Sequence, residues 1–240
     1  MQTCELSVVL PAYREADALR RLLPRLTGAL TRLAVEGEIV VVDAIEPMDD
    51  TADVCSQFGG RHIRRTGGNT YGDAVRSGIR AAQGKYILFM DADGSHNPDE
   101  IERLWSARDR SEIVIGSRYV SGGATQNPFI LILMSRVLNC LYEFAFWLPV
   151  RDVSNSFRLY RSAQLRSVEL VSNNFEIVEE ILIRLISGPA GATVSEVPVT
   201  FEKRKAGESK RNLPAFMLSY LASIARLRRF RAVELKRKGR

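Results

Sequence analysis

Asp91 and Asp93 follow directly on the apolar run Tyr86–Met90, and no other pair in the chain is better placed to do chemistry. The run reads as a strand. In extended backbone, residues two apart project to the same side, so both carboxylates are expected to face one ligand. Two hard oxygen donors with open positions left over suit Mg2+ or Mn2+ shared with a diphosphate, whose charge the ion would offset as the diphosphate leaves. The plain alternative is a solvated turn or a helix cap. Three cations, Arg118, Arg204 and Lys210, are of the right type to hold phosphate oxygens, the guanidinium as a bidentate fork and the ammonium as a mobile point charge. Arg118 could equally make a surface ion pair, and Arg204 and Lys210 could belong to a basic tail. Gly207 between the last two marks a segment that bends, as a closing flap must.

The elements that must carry these residues alternate. Leu6–Leu10 reads as a strand ending at Pro11, and Asp17–Leu33 as a helix with leucines at helical spacing. Strands are then expected at Glu38–Val42, around His62–Arg64, at Tyr86–Met90 and at Glu112–Gly116. Helices are expected at Asp50–Phe58, at Tyr71–Ala82 and from Asn97-Pro98 onward, where Pro98 suits a first turn. This alternation predicts an α/β fold with a mostly parallel sheet flanked by helices, and ligands bound beyond the carboxyl ends of the strands. No Gly-x-Gly-x-x-Gly follows the first strand and no Gly-Lys-Ser/Thr loop occurs, which removes the main support for dinucleotide redox chemistry and P-loop hydrolysis.

Composition agrees with an enzyme-sized body. The 240 residues are 45% apolar, enough for a core, and the three cysteines are too few and too scattered for a disulfide framework or a zinc site. A reducing cytoplasm is expected, and the first residues show no secretory leader. The net charge of +6 is unevenly shared: residues 203–240 hold 13 Lys and Arg against Glu208 and Glu234, leaving 21 basic against 26 acidic in the remainder. A mildly acidic body with a basic end points to an anionic surface. No recognition helix or RNA-binding aromatic motif is present, so that surface is expected to be lipid and not nucleic acid.

The segments Ser7–Glu15, Met90–His96 and Ile115–Gly123 resemble the family 2 glycosyltransferases. Asp152–Arg158 and Glu196–Lys210 sharpen the likeness toward dolichol-phosphate mannose synthases and other polyprenyl-phosphate glycosyltransferases. The resemblance runs over most of residues 5–212 and implies a GT-A fold and an inverting, metal-dependent transfer from a nucleoside-diphosphate sugar, either GDP-mannose or a UDP-hexose. It implies a nucleotide-sugar pocket of Pro11, Tyr13, Glu15, Asp43, Asp73 and Asp91. Asp91, Asp93 and Ser95 would serve the metal, with Ser95 where relatives often carry glutamine. Asp93, Arg118, Arg204 and Lys210 would be catalytic, with Arg118, Ser135, Arg204 and Lys210 at the acceptor phosphate. The chain departs from the family in the turn Asp43–Thr51, where Ala44 replaces a second acid and one residue is added. Arg14 replaces an asparagine, and Asn155-Ser156 replaces Ser-Gly. Altered donor preference is the expected consequence.

A phosphate acceptor also explains the shortage of bases. A phosphate monoester has a second pKa of about 6 and is largely a dianion at neutral pH, so it can attack without a general base. His62 reads as structural and His96 as orienting the Asp91–Asp93 motif. Asp152 is expected to orient Arg158 or the flap. A soluble hydroxyl acceptor would instead need a base among Asp152, Glu179 and Glu180, and a nucleotide-sugar-binding protein without turnover is the non-enzymatic alternative. Arg136 and Glu143 interrupt the apolar stretch Pro128–Val150, so it reads as two amphipathic pieces in a membrane interface, or as a helix pair in the core, and not as a span. The expected organisation is a catalytic domain over 1–212, with 128–150 at the interface, and a basic amphipathic helix and tail over 213–240. Together these place the protein peripherally at the cytoplasmic face of a membrane, and leave open a membrane-protein partner or a homo-oligomer.

Overall fold

The computed structural model describes residues 4–189, 191–203 and 213–238, with side chains described except at 213–218 and 238. The chain runs β1 (Leu6–Pro11), α1 (Ala16–Leu33), β2 (Gly37–Asp43), α2 (Thr51–Phe58), β3 (Arg61–Arg64), α3 (Tyr71–Ala81), β4 (Tyr86–Phe89), a 3-10 turn (Pro98–Glu100), α4 (Ile101–Ser106), β5 (Ile113–Ser117) and β6 (Ala124–Thr125). It continues α5 (Phe129–Phe146), β7 (Arg158–Arg161), α6 (Ser162–Arg166), α7 (Ile177–Ser187), β8 (Val194–Pro198), β9 (Thr200–Phe201) and α8 (Leu213–Lys238).

Seven strands form one sheet in the order β3-β2-β1-β4-β7-β5-β8, and β6 pairs with β9 in a small second sheet. Neighbours are parallel except β7, which lies antiparallel between β4 and β5. Strand alternation sorts the core into two layers. Leu6, Val8, Leu10, Val41 and Leu88 meet Leu19, Leu22, Leu26 and Leu104 on one face. Val9, Val40, Ile87, Phe89 and Ile115 meet Tyr142, Phe146, Ile181 and Leu182 on the other.

Two sequence expectations change here. The stretch 128–150 forms one continuous helix, α5, and not two pieces. Arg136 and Glu143 do not break it, because both lie on its exposed side, while Leu138, Asn139, Tyr142 and Phe146 turn inward. By length and composition α5 could cross a membrane, with a mean hydropathy of 1.6, yet this inward face is packed into the core. Pro98 opens a 3-10 turn before α4 rather than the helix itself. The C-terminal helix expected from the sequence is present as α8, and among its described side chains Tyr220, Ser223, Leu227 and Glu234 are buried, with Tyr220 and Leu227 joining the main core.

Candidate active site

Because β2, β1 and β4 are adjacent and parallel, the segments leaving their carboxyl ends meet at one edge of the sheet. That brings together Pro11–Glu15, Asp43 and the Asp91–Asp93 turn. Arg65, which the sequence reading did not single out, ties this edge down. Its buried guanidinium donates to the carbonyls of Ala12, Val42, Asp43, Asn69 and Thr70, and lies 5.8 Å from the centroid of the Tyr13 ring. Burial lowers its pKa, opposed by the charges of Asp43 and Asp73. Tyr13 itself is half exposed beside Pro11 and Glu15, available to a planar ligand.

Asp43 is buried; one oxygen accepts from the Ala44 N–H at 2.7 Å and the other lies 3.2 Å from His62 Nε2. The lengthened turn after it is held by Asp49, which accepts from the N–H groups of Ala16 and Thr51 at the starts of α1 and α2. Asn69 accepts from the Ile45 N–H, and Ala44 is buried where the family's second acid would stand. Asp73 serves as a helix cap. It accepts from the Thr70 N–H and hydroxyl and from Arg76, which outweigh burial and lower its pKa. It shapes the loop beside Asp43, packed so closely that a Cβ on Gly68 would come 2.7 Å from its Oδ2.

Asp91 and Asp93 lie on a turn and not in extended backbone. Gly94 makes the turn possible at φ +78°, and side chains hold it. The Ser95 N–H and hydroxyl donate to Asp93 Oδ1 at 3.0 and 2.6 Å, and the Ser156 hydroxyl donates to Asp91 Oδ1 at 2.9 Å. His96 Nδ1 accepts from the Asp91 N–H at 3.1 Å, which puts the ring proton on Nε2, 3.0 Å from Asn155 Oδ1. The His96 ring stacks on Phe157. His96 therefore orients the turn, as expected. Both carboxylates keep partial exposure, and as hard oxygen donors they fit Mg2+ or Mn2+. Among the described residues no third acid, histidine or cysteine joins them, so the diphosphate and water would complete the shell. Ser95 is fully buried and directed at Asp93, where it would orient that carboxylate for a metal ion.

Arg118, just past β5, is nine-tenths buried and paired with Asp152 through Nε at 2.8 Å and Nη2 at 2.7 Å. Nη2 also donates to Ser135 on α5 and to Ser154, and these two hydroxyls are 3.0 Å apart. Nη1 makes no hydrogen bond to a described residue. Burial would lower the Arg118 pKa, but Asp152 raises it; in turn burial of Asp152 is outweighed by Arg118, which lowers the carboxylate's pKa. Asp152 thus orients Arg118. Arg158, its expected partner, is buried and satisfied by the carbonyls of Val153, Asn155 and Val178. Arg204 and Lys210 lie outside the described residues.

The acids named for a hydroxyl acceptor are all engaged or enclosed. Glu180 accepts from the Val171 and Ser172 N–H groups and from Arg184, and its pKa is lowered by these bonds against burial. Glu179 is buried under α5 and α8, where burial pushes it up to about 8. Arg65 is the site residue the sequence reading did not name, and the partners of Asp152, Asn155 and Ser156 were not placed by it, since each acts across a long sequence separation.

Residues 7–182 match glycosyl transferase family 2. The chain is 36% identical over 86% of its length to the dolichol-phosphate mannosyltransferase of Pyrococcus furiosus, and spans 59% of that protein's own length. It is 32% identical over 85% of its length to the polyprenol monophosphomannose synthase of Mycolicibacterium smegmatis, covering 79% of that protein. Among solved structures, glucosyl-3-phosphoglycerate synthase of Mycobacterium tuberculosis, in complex with Mn2+, UDP-glucose and phosphoglyceric acid, superposes with a TM-score of 0.71 at 16% identity. The superposition covers 94% of this chain and 80% of that one, and supports the expected GT-A-like arrangement. With that sheet, that carboxyl-end site and these matches, the chain belongs to glycosyl transferase family 2.

Proposed function

We propose that this protein transfers a hexosyl group, mannosyl by its relatives, from a nucleoside-diphosphate sugar to a polyprenyl phosphate, with inversion at the anomeric carbon. The observation that carries the acceptor is Arg118. It is fixed by Asp152 against Ser135 and Ser154, while no acid among Asp152, Glu179 and Glu180 is placed to deprotonate a hydroxyl. A lipid phosphate brings its own dianionic nucleophile. A divalent ion held by Asp91 and Asp93 would neutralise the leaving diphosphate. The protein's share is alignment. Tyr13, Asp43 and the Arg65-braced loops seat the nucleotide, and Arg118, with Arg204 and Lys210 from the family motif, offsets repulsion between the two anionic reactants.

The acceptor's chain gives α5 its second role. Phe129, Ile130, Leu133, Val137, Leu141 and Phe144 are exposed along it, with Trp147 just beyond its end, and Ser135 reaches from it to Arg118. This supports a peripheral position with α5 in the lipid interface; the cytoplasmic face is proposed with it from the absence of a disulfide framework in the sequence. The test offers purified protein a panel of labelled UDP- and GDP-sugars with a polyprenyl phosphate and Mg2+ or Mn2+, followed by lipid extraction. Label in the lipid phase, abolished by chelator, is expected; label only in a soluble saccharide acceptor overturns the reading.

A further inference from the structure

Between His96, which holds the Asp91–Asp93 turn, and Arg118 stands the ring of Phe201. Phe201 ends β9, which pairs with β6 through Thr125–Phe201, and the Phe201 carbonyl accepts from the Gln126 N–H at 2.8 Å. On its other side Phe201 bridges antiparallel to His96, and the next residue's N–H donates to the Ser95 carbonyl at 2.8 Å. The preceding residue is fixed too: the Thr200 N–H donates to both oxygens of the buried Glu100. The backbone around Phe201 is thus laced to the very turn that carries Asp91 and Asp93.

The ring extends this lacing to the phosphate cation. It meets His96 edge to face, with centroids 5.2 Å apart at 82°, and the Arg118 guanidinium lies 5.6 Å from its centroid. His96 in turn accepts from the Asp91 N–H. One line of contacts therefore runs Asp91, His96, Phe201, Arg118, Asp152. Arg118 spends Nε and Nη2 on Asp152, Ser135 and Ser154, so its plane is set by those bonds and by the aromatic faces of Phe201 and Tyr119, which attract the cation. Beyond Phe201 the chain leads directly into the segment that carries Arg204.

We infer that Phe201 is a positioning residue that couples the two anion sites, so that a metal-diphosphate held at Asp91 and Asp93 sets the orientation in which Arg118 receives a phosphate. This rests on the proposed reading of the site. Phe201 touches no reacting atom; it transmits the position of the turn to the guanidinium through His96 on one side and a ring face on the other. Coupling of this kind is reciprocal, since whatever one ligand does for the other's affinity must be returned.

The experiment uses the full chain with Mn2+ and UDP or GDP, whichever binds wild type more tightly, and inorganic phosphate as the probe of Arg118. Each ligand is titrated alone and in the presence of the other, in wild type, Phe201→Leu and Phe201→Tyr. Thermal unfolding checks that the variants fold, and transfer to polyprenyl phosphate is assayed in parallel. Wild type should bind phosphate several-fold more tightly with the nucleotide present. Phe201→Leu should keep each separate affinity within about twofold, lose the mutual enhancement, and lower kcat at least tenfold with little change in donor KM. Phe201→Tyr, which retains the ring face, should restore both. Undiminished enhancement in Phe201→Leu overturns the inference while leaving the transferase reading intact. So does an equal loss in Phe201→Tyr, or a fall in donor affinity matching the fall in kcat. A wild type that binds both ligands but labels no lipid overturns the transferase reading alone.

Discussion

Under the proposed function, Asp93 would be a metal ligand and Ser95 its support, and the two roles predict different variants. Asp93→Ala removes one of two carboxylates at the turn and should lower transfer by at least a hundredfold, with a matching loss of metal-dependent nucleotide binding. Ser95→Ala leaves both carboxylates but removes the 2.6 Å bond to Asp93 Oδ1, so metal affinity should fall about tenfold to a hundredfold and excess Mn2+ should recover activity. Titrating activity against Mn2+ distinguishes them; a Ser95→Ala enzyme that excess metal cannot rescue would make the hydroxyl itself a ligand. Arg118→Met differs again. It strands Asp152 as an unpaired buried carboxylate, which should cost about 3–5 kcal/mol of stability as well as activity, seen as a lowered denaturation midpoint. The Asp91–Asp93 pair was legible as acids directly after an apolar strand, and Arg118 through the family resemblance of Ile115–Gly123. Their partners were not, because Asp152 is 34 positions from Arg118 and Ser156 is 65 from Asp91, distances over which no periodicity connects one residue to another. The extended reading of Asp91 and Asp93 failed for a local reason: Gly94 takes positive φ and Ser95 curls back onto Asp93.

Among the described residues, the Asn139 amide, one Glu176 oxygen and both Glu179 oxygens are buried without a hydrogen-bond partner around α5 and α7, where the Tyr142 hydroxyl lies beside Ser223 of α8. Glu179 faces Arg158 from β7, Glu176 on its own helix and the Asp152 charge, while its charge bears on Tyr142 of α5. Burial dominates and raises it from 4.5 to about 8. The folded protein therefore holds a proton that the unfolded chain releases, and the associated stability is complete below about pH 4.5 and is lost as pH rises to about 8. Glu179→Gln, which keeps the shape and stays neutral, should flatten this slope and gain up to several kcal/mol at pH 8.5, at about 1.4 kcal/mol per pH unit removed. Urea unfolding at pH 6 and 8.5 measures it; equal slopes in variant and wild type would show Glu179 ionised in the fold. The strand and helix alternation up to β5 was legible from apolar period and terminal prolines and aspartates. β7 was not, because only Leu159 and Tyr160 stand between Arg158 and Arg161, too short an apolar run to read as a strand; inside the sheet, backbone carbonyls satisfy Arg158. The continuity of α5 was hidden by two charges on its exposed side.

The molecule as a whole presents an apolar surface on α5 beside the basic end of α8. The two are joined where Arg231 donates to the Phe146 carbonyl, so Trp147, 82% exposed, and Phe144, 76% exposed, lie near the exposed Arg228 and Arg229. Each basic group near anionic lipid contributes about 1 kcal/mol, and each large apolar side chain withdrawn from water about 1.5–3 kcal/mol. These terms have different signatures. The electrostatic part needs anionic lipid and is screened by salt, whereas the apolar part survives both changes. Replacing Arg228, Arg229 and Lys236 by Gln should weaken binding to anionic vesicles by about tenfold and leave binding to neutral vesicles unaltered. Replacing Phe144 and Trp147 by Ser should weaken both by about tenfold or more, and should raise KM for a long-chain polyprenyl phosphate more than for a short, soluble one. Truncation before α8 is a poorer test, because loss of Tyr220 and Leu227 would open the main core and lower stability by several kcal/mol, confounding attachment with folding. Vesicle sedimentation of the two surface variants, with thermal unfolding unchanged, isolates attachment. If neither set alters sedimentation on anionic vesicles, the α5 and α8 surface is not what meets the membrane, and the exposed apolar side chains of α5 must be covered by another protein surface instead.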